Sequence, residues 1–544
     1  MEKKFNITGK CNANRHYMAD VSNKSKSVIK LVEAGEYFII NRPRQYGKTT
    51  MLHNLATALR EKGDYIVFNT SFGGIGDAIF EDETVFSSGF VNVLANYAKY
   101  QVPELATWLK LASPQTTNLD ILSEVITALM NETNKKVVLL IDEVDKSSNN
   151  QLFVSFLAML REKYLMRDDV PTFHSIVLAG LHDVKTLKLK LRPDEERKYN
   201  SPWNIATDFK VDMNLFPAEI KPMLDDYCAA TGVVMDTQLM ADTLFYHTSG
   251  YPFLVSKLCK TIDEDILPTK LIDAKSWSLA DLDESVRLLL KESNTNFDSL
   301  IKNLENDSDL YNFVYRIIMD GEIVIFNVDE PLILKGLMHG IFKDEGQIKI
   351  HNRIYEQRIY NYMVAKTTVA MKSPHNYAGH FVLENGGLDM PAVLLKFQQF
   401  MKEEFNEKDK TFLEQHGRLV FLSFLSPILN GKGHSFKEVQ TSEEKRLDII
   451  TTFNQFKYII ELKRWYGEVY HKKGIKQLND YLEIHKLHEG FLVIFEYNKT
   501  KSWHQEWIDF DGKRSLPFGF NTPSVFKHKR YIYFYCLDKI KNID

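Results

Sequence analysis

Three short stretches carry residue types that can do chemistry together. The first, NRPRQYGKTT at residues 41–50, closes on Gly47, Lys48 and Thr49. A lysine and a hydroxyl behind a glycine suit a phosphate chain. Backbone N–H groups surround the anion, the ammonium reaches the β- and γ-phosphates, and the hydroxyl meets Mg2+. The second, KKVVLLIDEVDK at 135–146, ends an apolar run in Asp142 and Glu143. The first acid is placed to meet Mg2+ directly or through a ligand of the ion, and the second to orient or deprotonate the water that attacks the γ-phosphate. The third joins KRLDIITTF to QFKYIIELKRW, with Asp448 in one segment and Glu461, Leu462 and Lys463 in the other. Two carboxylates and the Leu462 carbonyl oxygen make an oxygen-rich site suited to Mg2+ or Mn2+. Lys463 can position water and offset charge on an attacked phosphate.

These residues need elements to hold them. EYFIIN at 36–41 is short and β-branched enough for a buried parallel strand, and TTMLHNLATALREKG at 49–63 has apolar positions at helical spacing. Strand, loop and helix in that order give the Gly-Lys-Thr triplet its meaning. The expected nucleotide contacts are Arg44, Gln45, Tyr46, Gly47, Lys48, Thr49, Thr50 and Asp142, with Thr49 and Asp142 at the metal. Arg42 stands where the usual pattern has its first glycine, so the loop loses conformational freedom there. Arg42 or Arg44 either offers charge to phosphate or pairs with an acidic neighbour. YIVFNTSF at 65–72 and TFHSIVLAG at 172–180 are further strand candidates. No clear polar sensor follows the latter; His182, Asp183, Arg192 and Arg197 are only nearby. In TSGYPFLVSKLCK at 248–260, Gly250 and Pro252 end one helix and open another, which can bring a helix start beside the nucleotide.

The chain has 544 residues, 44% of them hydrophobic and 26% charged, with Lys+Arg 68 against Asp+Glu 72 and a formal charge of -4. That length divides into two to four domains, and that charge excludes bulk basicity as a guide to nucleic acid. Cys11, Cys228, Cys259 and Cys536 form no CxxC pair, so the expectation is reduced thiols in a cytoplasmic protein. No apolar run has the length of a signal peptide or a membrane span, so no membrane partner is expected.

YFIINRPRQYGKTTML, VVLLIDEVDK, SIVLAG, SPWNIATDF and TSGYPFLVSKLC together resemble the AAA-ATPase-like domain of a bacterial family in which the ATPase is fused to a nuclease-like carboxyl-terminal domain. The resemblance covers roughly residues 5–280. It implies ATP and Mg2+ as ligands, with Lys48, Thr49, Asp142 and Glu143 at the phosphate, magnesium and water-activating positions. The missing sensor and arginine finger weigh against a strong motor more than against binding.

Between the halves, alternation in EIVIFN, an apolar helix around ILKGLMHGIF and a short strand in GQIKIHN suggest a winged-helix-like module. Its exposed helix is not rich in arginine, which favours transmission between domains over direct DNA contact. PHNYAGHFVLENGGLDMP at 374–391 marks the next boundary. Beyond it, Asp448, then Glu461 and Lys463, then GIKQLNDYLEIH and EGFLVIFEY resemble the PD-(D/E)XK nuclease superfamily over about residues 408–500. Leu447 stands where the superfamily's name has proline. Glu414 matches the acid often found on the preceding helix and joins Asp448, Glu461 and Leu462 as an implied metal ligand; Gln477 and Tyr481 match the supporting helix. Arg446, Lys463, Arg464, Lys472, Lys473 and Lys476 surround the site and can meet phosphates. KRYIYFYCLDKI near the carboxyl terminus reads as an edge strand.

The expected fold is α/β: a P-loop NTPase core with a helical lid over 1–283, a winged-helix-like linker over 284–373 and a restriction-endonuclease-like domain over 374–544. The expected function is an ATPase that controls metal-dependent phosphodiester cleavage of nucleic acid, DNA favoured over RNA. Glu143, Asp448, Glu461 and Lys463 are its catalytic candidates. Two alternatives remain open: a signalling or scaffold ATPase whose last domain binds without cutting, and a motor that remodels another protein. Self-association and a protein regulator of the ATPase are compatible with the sequence.

Overall fold

The computed structural model describes residues 3–74, 77–144, 151–180, 203–270, 275–320, 322–370, 381–404, 420–425, 428–429, 433–437, 448–464, 478, 482, 487, 489–495, 505–509 and 531–537. They belong to two compact units, Met1–Asn303 with Phe326–Tyr355, and Leu304–Ile325 with Glu356–Asp544.

The first unit is built on a parallel sheet of β1 (Phe38–Asn41), β2 (Tyr65–Ser71), β3 (Lys136–Asp142) and β4 (Ser175–Gly180), ordered β1-β4-β3-β2. Val137 to Ile141 and Ser175 to Gly180 are buried throughout. An unbroken apolar run of this kind is what a strand covered on both faces requires. Helix α1 (Ser22–Glu33) precedes β1, and α2 (Lys48–Glu61) follows it, burying Met51, Leu52, Leu55, Ala56 and Leu59 along one stripe. Between β2 and β4 run α3 (Glu83–Ala98), α4 (Pro103–Ala112), α5 (Leu119–Asn131) and α6 (Gln151–Leu165). The Asp82 and Asn118 side chains cap α3 and α5 by accepting from the Val85 and Ile121 N–H groups.

Four more helices follow: α7 (Pro217–Thr231), α8 (Thr237–Thr248), α9 (Pro252–Thr261) and α10 (Leu279–Lys291). The turn from α8 to α9 passes through two left-handed residues, Ser249 at φ 48° and Gly250 at φ 74°. A Cβ on Gly250 would lie 2.4 Å from the Leu215 carbonyl oxygen, so both backbone angle and space demand glycine. Pro252 then opens α9, where a missing N–H costs nothing. The chain before α1 is tied to this helical layer by Phe5, whose ring packs on Tyr17, Tyr227 and Trp277 at centroid distances of 5.0, 5.1 and 5.9 Å.

A hairpin of β5 (Phe342–Asp344) and β6 (Ile348–Ile350) also belongs to the first unit. The EIVIFN segment forms no strand: its alternating Ile323 and Ile325 are 59% and 76% exposed, and alternation without a surface to cover does not hold a ladder.

The second unit has a mixed sheet of β7 (Gly433–Lys437), β8 (Asp448–Phe453), β9 (Phe456–Arg464), β10 (Glu489–Phe495), β11 (Gln505–Asp509) and β12 (Tyr531–Leu537), ordered β11-β12-β10-β9-β8-β7. β8 and β9 form an antiparallel hairpin turning at Asn454, φ 50°, and β10 lies parallel to β9. A Cβ on Gly490 would lie 2.9 Å from Leu478 Cδ1 and 3.1 Å from Leu482 Cδ2, so glycine lets these two leucines close onto β10. The last strand differs from the sequence expectation. β12 is interior among the described strands, paired with β10 on one side and β11 on the other, because both of its backbone edges find a partner; the short β11 forms the edge.

Candidate functional site

The loop between β1 and α2 explains how arginine replaces glycine. Its left-handed residues are Gln45 at φ 57° and Gly47 at φ 81°, and Arg42 is not among them. The conformational demand therefore lies later in the loop than the general pattern places it. Arg42 is spent on structure: its guanidinium donates to the Asn41 and Val211 carbonyls at 2.8 and 3.0 Å and lies over the Phe209 ring at 5.4 Å. Burial lowers its pKa. Gly47 caps α2, whose first N–H groups are directed out of the helix start with the positive end of its dipole. The Lys48 ammonium donates to the Arg42 and Pro43 carbonyls, both at 2.7 Å.

The acids arrive on β3, two strands away from β1 because β4 lies between them, a gap of about 10 Å at the usual strand spacing. The start of α2 crosses that gap. Thr49 Oγ1 donates to Asp142 Oδ2 at 2.5 Å, and Asp142 is only 5% exposed. Asp142 Oδ1 accepts from the Glu143 N–H at 2.9 Å. Glu143 sits at φ 54°, a conformation that side chains larger than hydrogen seldom adopt, and its Oε2 accepts from Ser71 Oγ at 3.4 Å. Backbone strain held at a strand end beside a cleft is where functional residues concentrate.

A cavity of about 610 Å3 opens over these groups. Arg44, Gln45, Tyr46, Gly47, Lys48, Thr49, Thr50, Asp142 and Glu143 all line it. Pro252, Phe253 and Ser256 form another wall, so the start of α9 does stand beside the loop. The wall made by Asn6, Ile7, Thr8, Gly9 and Cys11 was missed in the sequence. Its polar residues carry no periodicity, and what holds them is remote: the Phe5 ring in its aromatic cluster, and the Cys11 N–H donating to Thr50 Oγ1 at 3.1 Å. His182, Asp183, Arg192 and Arg197 lie outside the described residues.

In the second unit, Asp448 and Glu461 are direct register partners across the β8–β9 hairpin. Lys463 lies two positions beyond Glu461 on β9. Glu461 is 1% exposed. A carboxylate that deep needs a cation, hydrogen bonds or a proton. Among the described residues no group of three or more His, Cys, Asp or Glu is clustered as a metal cage. Glu414, Arg446, Lys472, Lys473, Lys476, Gln477 and Tyr481 lie outside the described residues. Among the described residues no helix is long and apolar enough to cross a membrane.

A family model for an AAA-like domain matches residues 8–282, just over half of the chain. Among solved structures, the chain is similar to the Walker-type ATPase PABY2304 of Pyrococcus abyssi, at 13% identity over 65% of this chain and 99% of that one, with a TM-score of 0.45. It is also similar to the ORC2 protein of Aeropyrum pernix, at 13% identity over 66% and 96%, TM-score 0.36. The RuvB Holliday junction branch migration motor of Thermotoga maritima matches at 13% identity over 65% and 96%, TM-score 0.31. No curated protein gives a match.

Proposed function

Because the chain belongs to the AAA-like domain family, we propose that the cavity over Lys48 and Asp142 binds and hydrolyses ATP with Mg2+, and that the nucleotide state controls metal-dependent cleavage of nucleic acid by the carboxyl-terminal sheet. The observation that carries the reading is the 2.5 Å contact of Thr49 Oγ1 with Asp142 Oδ2, which joins the loop to the acid strand across the intervening β4. A hydroxyl and a carboxylate oxygen side by side suit Mg2+, which takes one or two protein oxygens and keeps several waters. Bound there, the ion neutralises charge on the phosphates. The residues do the rest. Gly47 and the first turn of α2 direct N–H groups at phosphate oxygens, Lys48 adds a point charge, and Glu143 accepts a proton from the attacking water.

The second half of the proposal rests on the Asp448–Glu461 register pair and the burial of Glu461. In this reading residues 374–544 form a PD-(D/E)XK nuclease domain. Asp448, Glu461, the Leu462 carbonyl and Glu414 hold Mg2+ or Mn2+, and Lys463 meets the attacked phosphate. Residues 1–283 are the ATPase domain with its lid, and 284–373 a winged-helix-like linker.

Lys48→Ala tests the nucleotide site. Removing a charge-assisted contact costs about 1.5–3 kcal/mol, so Mg·ATP affinity falls roughly 10- to 100-fold. Calorimetric titration reads this directly, and unchanged affinity removes the loop from the phosphate site.

A further inference from the structure

The outer side of the phosphate loop is held by a chain of buried hydrogen bonds. Tyr46 is 4% exposed, and its phenol contacts both Asn214 Oδ1 and His351 Nε2, the latter at 2.7 Å. A phenol has one hydrogen, and Asn214 Oδ1 can only accept, so the phenol donates to Asn214 and accepts from His351. The imidazole therefore carries its hydrogen on Nε2. The other ring nitrogen agrees, since His351 Nδ1 faces Asn352 Nδ2, a donor, at 3.3 Å. Burial holds the ring neutral, its pKa pushed down to about 3. Asn352 Oδ1 in turn accepts from the Tyr355 N–H at 2.8 Å and caps the helix Arg353–Ala370.

Further contacts join the loop to the residue before α9 and to the hairpin end. Tyr251 donates to the Arg44 carbonyl and packs edge-on against Tyr46 and His351, with centroids at 4.6 and 5.4 Å. Gly340, just before β5, abuts Pro43, where a Cβ would lie 2.7 Å from Pro43 Cγ. The His351 N–H donates to the Ile341 carbonyl at 2.7 Å, which fixes the His351 backbone at the base of the β5–β6 hairpin. None of these side chains except Tyr46 lines the nucleotide cavity.

We propose that His351 is a positioning residue for nucleotide binding: through the Tyr46 phenol it sets the phosphate loop, so that nucleotide occupancy and the order of the hairpin 341–352 are linked. The inference rests on the assignment of the cavity to ATP. Linkage is reciprocal, so whatever the hairpin does for nucleotide affinity, nucleotide does for the hairpin.

His351→Ala leaves the buried phenol without its donor and weakens Mg·ATP binding about tenfold. His351→Gln returns an N–H donor at the position of Nε2 and recovers affinity to within about threefold, whereas a merely space-filling role gains nothing from the amide hydrogen. In the parent chain, Mg·ATP slows hydrogen exchange of the amides at 341–352. The expected set is therefore weak binding by the alanine variant, rescue by glutamine, and protected hairpin amides in the parent. If the parent binds Mg·ATP but the exchange of 341–352 does not respond, the linkage is wrong, even where the alanine variant fails to fold. Equal affinity in parent and folded His351→Ala also overturns it. Absence of Mg·ATP binding by the folded parent is a different failure, because it rejects the nucleotide assignment and the linkage with it.

Discussion

Glu143→Gln binds Mg·ATP as tightly as the parent chain and hydrolyses it at least about a hundredfold more slowly, the lower end of what a positioned general base contributes. The geometry separates the two effects. Glu143 contributes its backbone N–H to Asp142 Oδ1 at 2.9 Å, and a change of side chain leaves that bond in place. The hydrogen-bonded pair of Thr49 and Asp142 is likewise untouched. The glutamine amide still hydrogen-bonds but no longer takes a proton from water. Its residue must hold the left-handed φ of 54° as Glu143 does, and the side-chain volume is nearly the same, so the fold carries the change. Steady-state release of phosphate at saturating ATP, paired with calorimetric binding, checks the prediction. Equal turnover by variant and parent removes Glu143 from the water-activating role; loss of binding shows instead that the strand end was disturbed.

Asp448→Ala loses divalent-metal affinity and phosphodiester cleavage together, while Lys463→Ala keeps most of the metal affinity and loses cleavage. Asp448 is the register partner of Glu461 across the hairpin, and in the proposed centre the two acids share the ion. Loss of an outer-shell partner of a metal typically costs about 10- to 100-fold, and loss of a ligand costs at least as much. Lysine has no lone pair to give while protonated, so its role is with phosphate and water. Metal calorimetry beside a gel assay of labelled DNA and RNA reads both quantities, with circular dichroism to confirm folding. Loss of metal binding in both variants contradicts the division of roles. Full cleavage by Asp448→Ala rejects the centre and places the cleavage at other residues.

What was legible in the sequence is what depends on neighbours in the chain. The order of apolar strand, Gly-Lys-Thr and amphipathic helix places Lys48 and Thr49 at the start of α2. The apolar run before Asp142 places it at the end of a buried strand. The hairpin pairing of Asp448 with Glu461 follows from two short strands and the turn between them. The template of a phosphate loop misled at Arg42, because it specifies glycine by position while the backbone specifies it by φ, and the left-handed residues here are Gln45 and Gly47. Long-range contacts left no local trace. The Asn6–Cys11 wall is fixed by Phe5 against Tyr227, and Tyr46 meets a histidine 305 residues later in the chain. The alternation of EIVIFN misled for the converse reason: a periodic pattern makes a strand only where a surface receives it.

The central claim is that nucleotide in one pocket controls chemistry in the other, and the measurement that reaches it most directly is cleavage of labelled single-stranded DNA, duplex DNA and RNA by the whole chain, with Mg2+ or Mn2+, in the presence and absence of ATP. The account predicts products whose rate of formation changes with ATP, a change abolished in Lys48→Ala and products abolished in Asp448→Ala. Products that form at one rate with and without ATP, in a chain that demonstrably binds ATP, would contradict it.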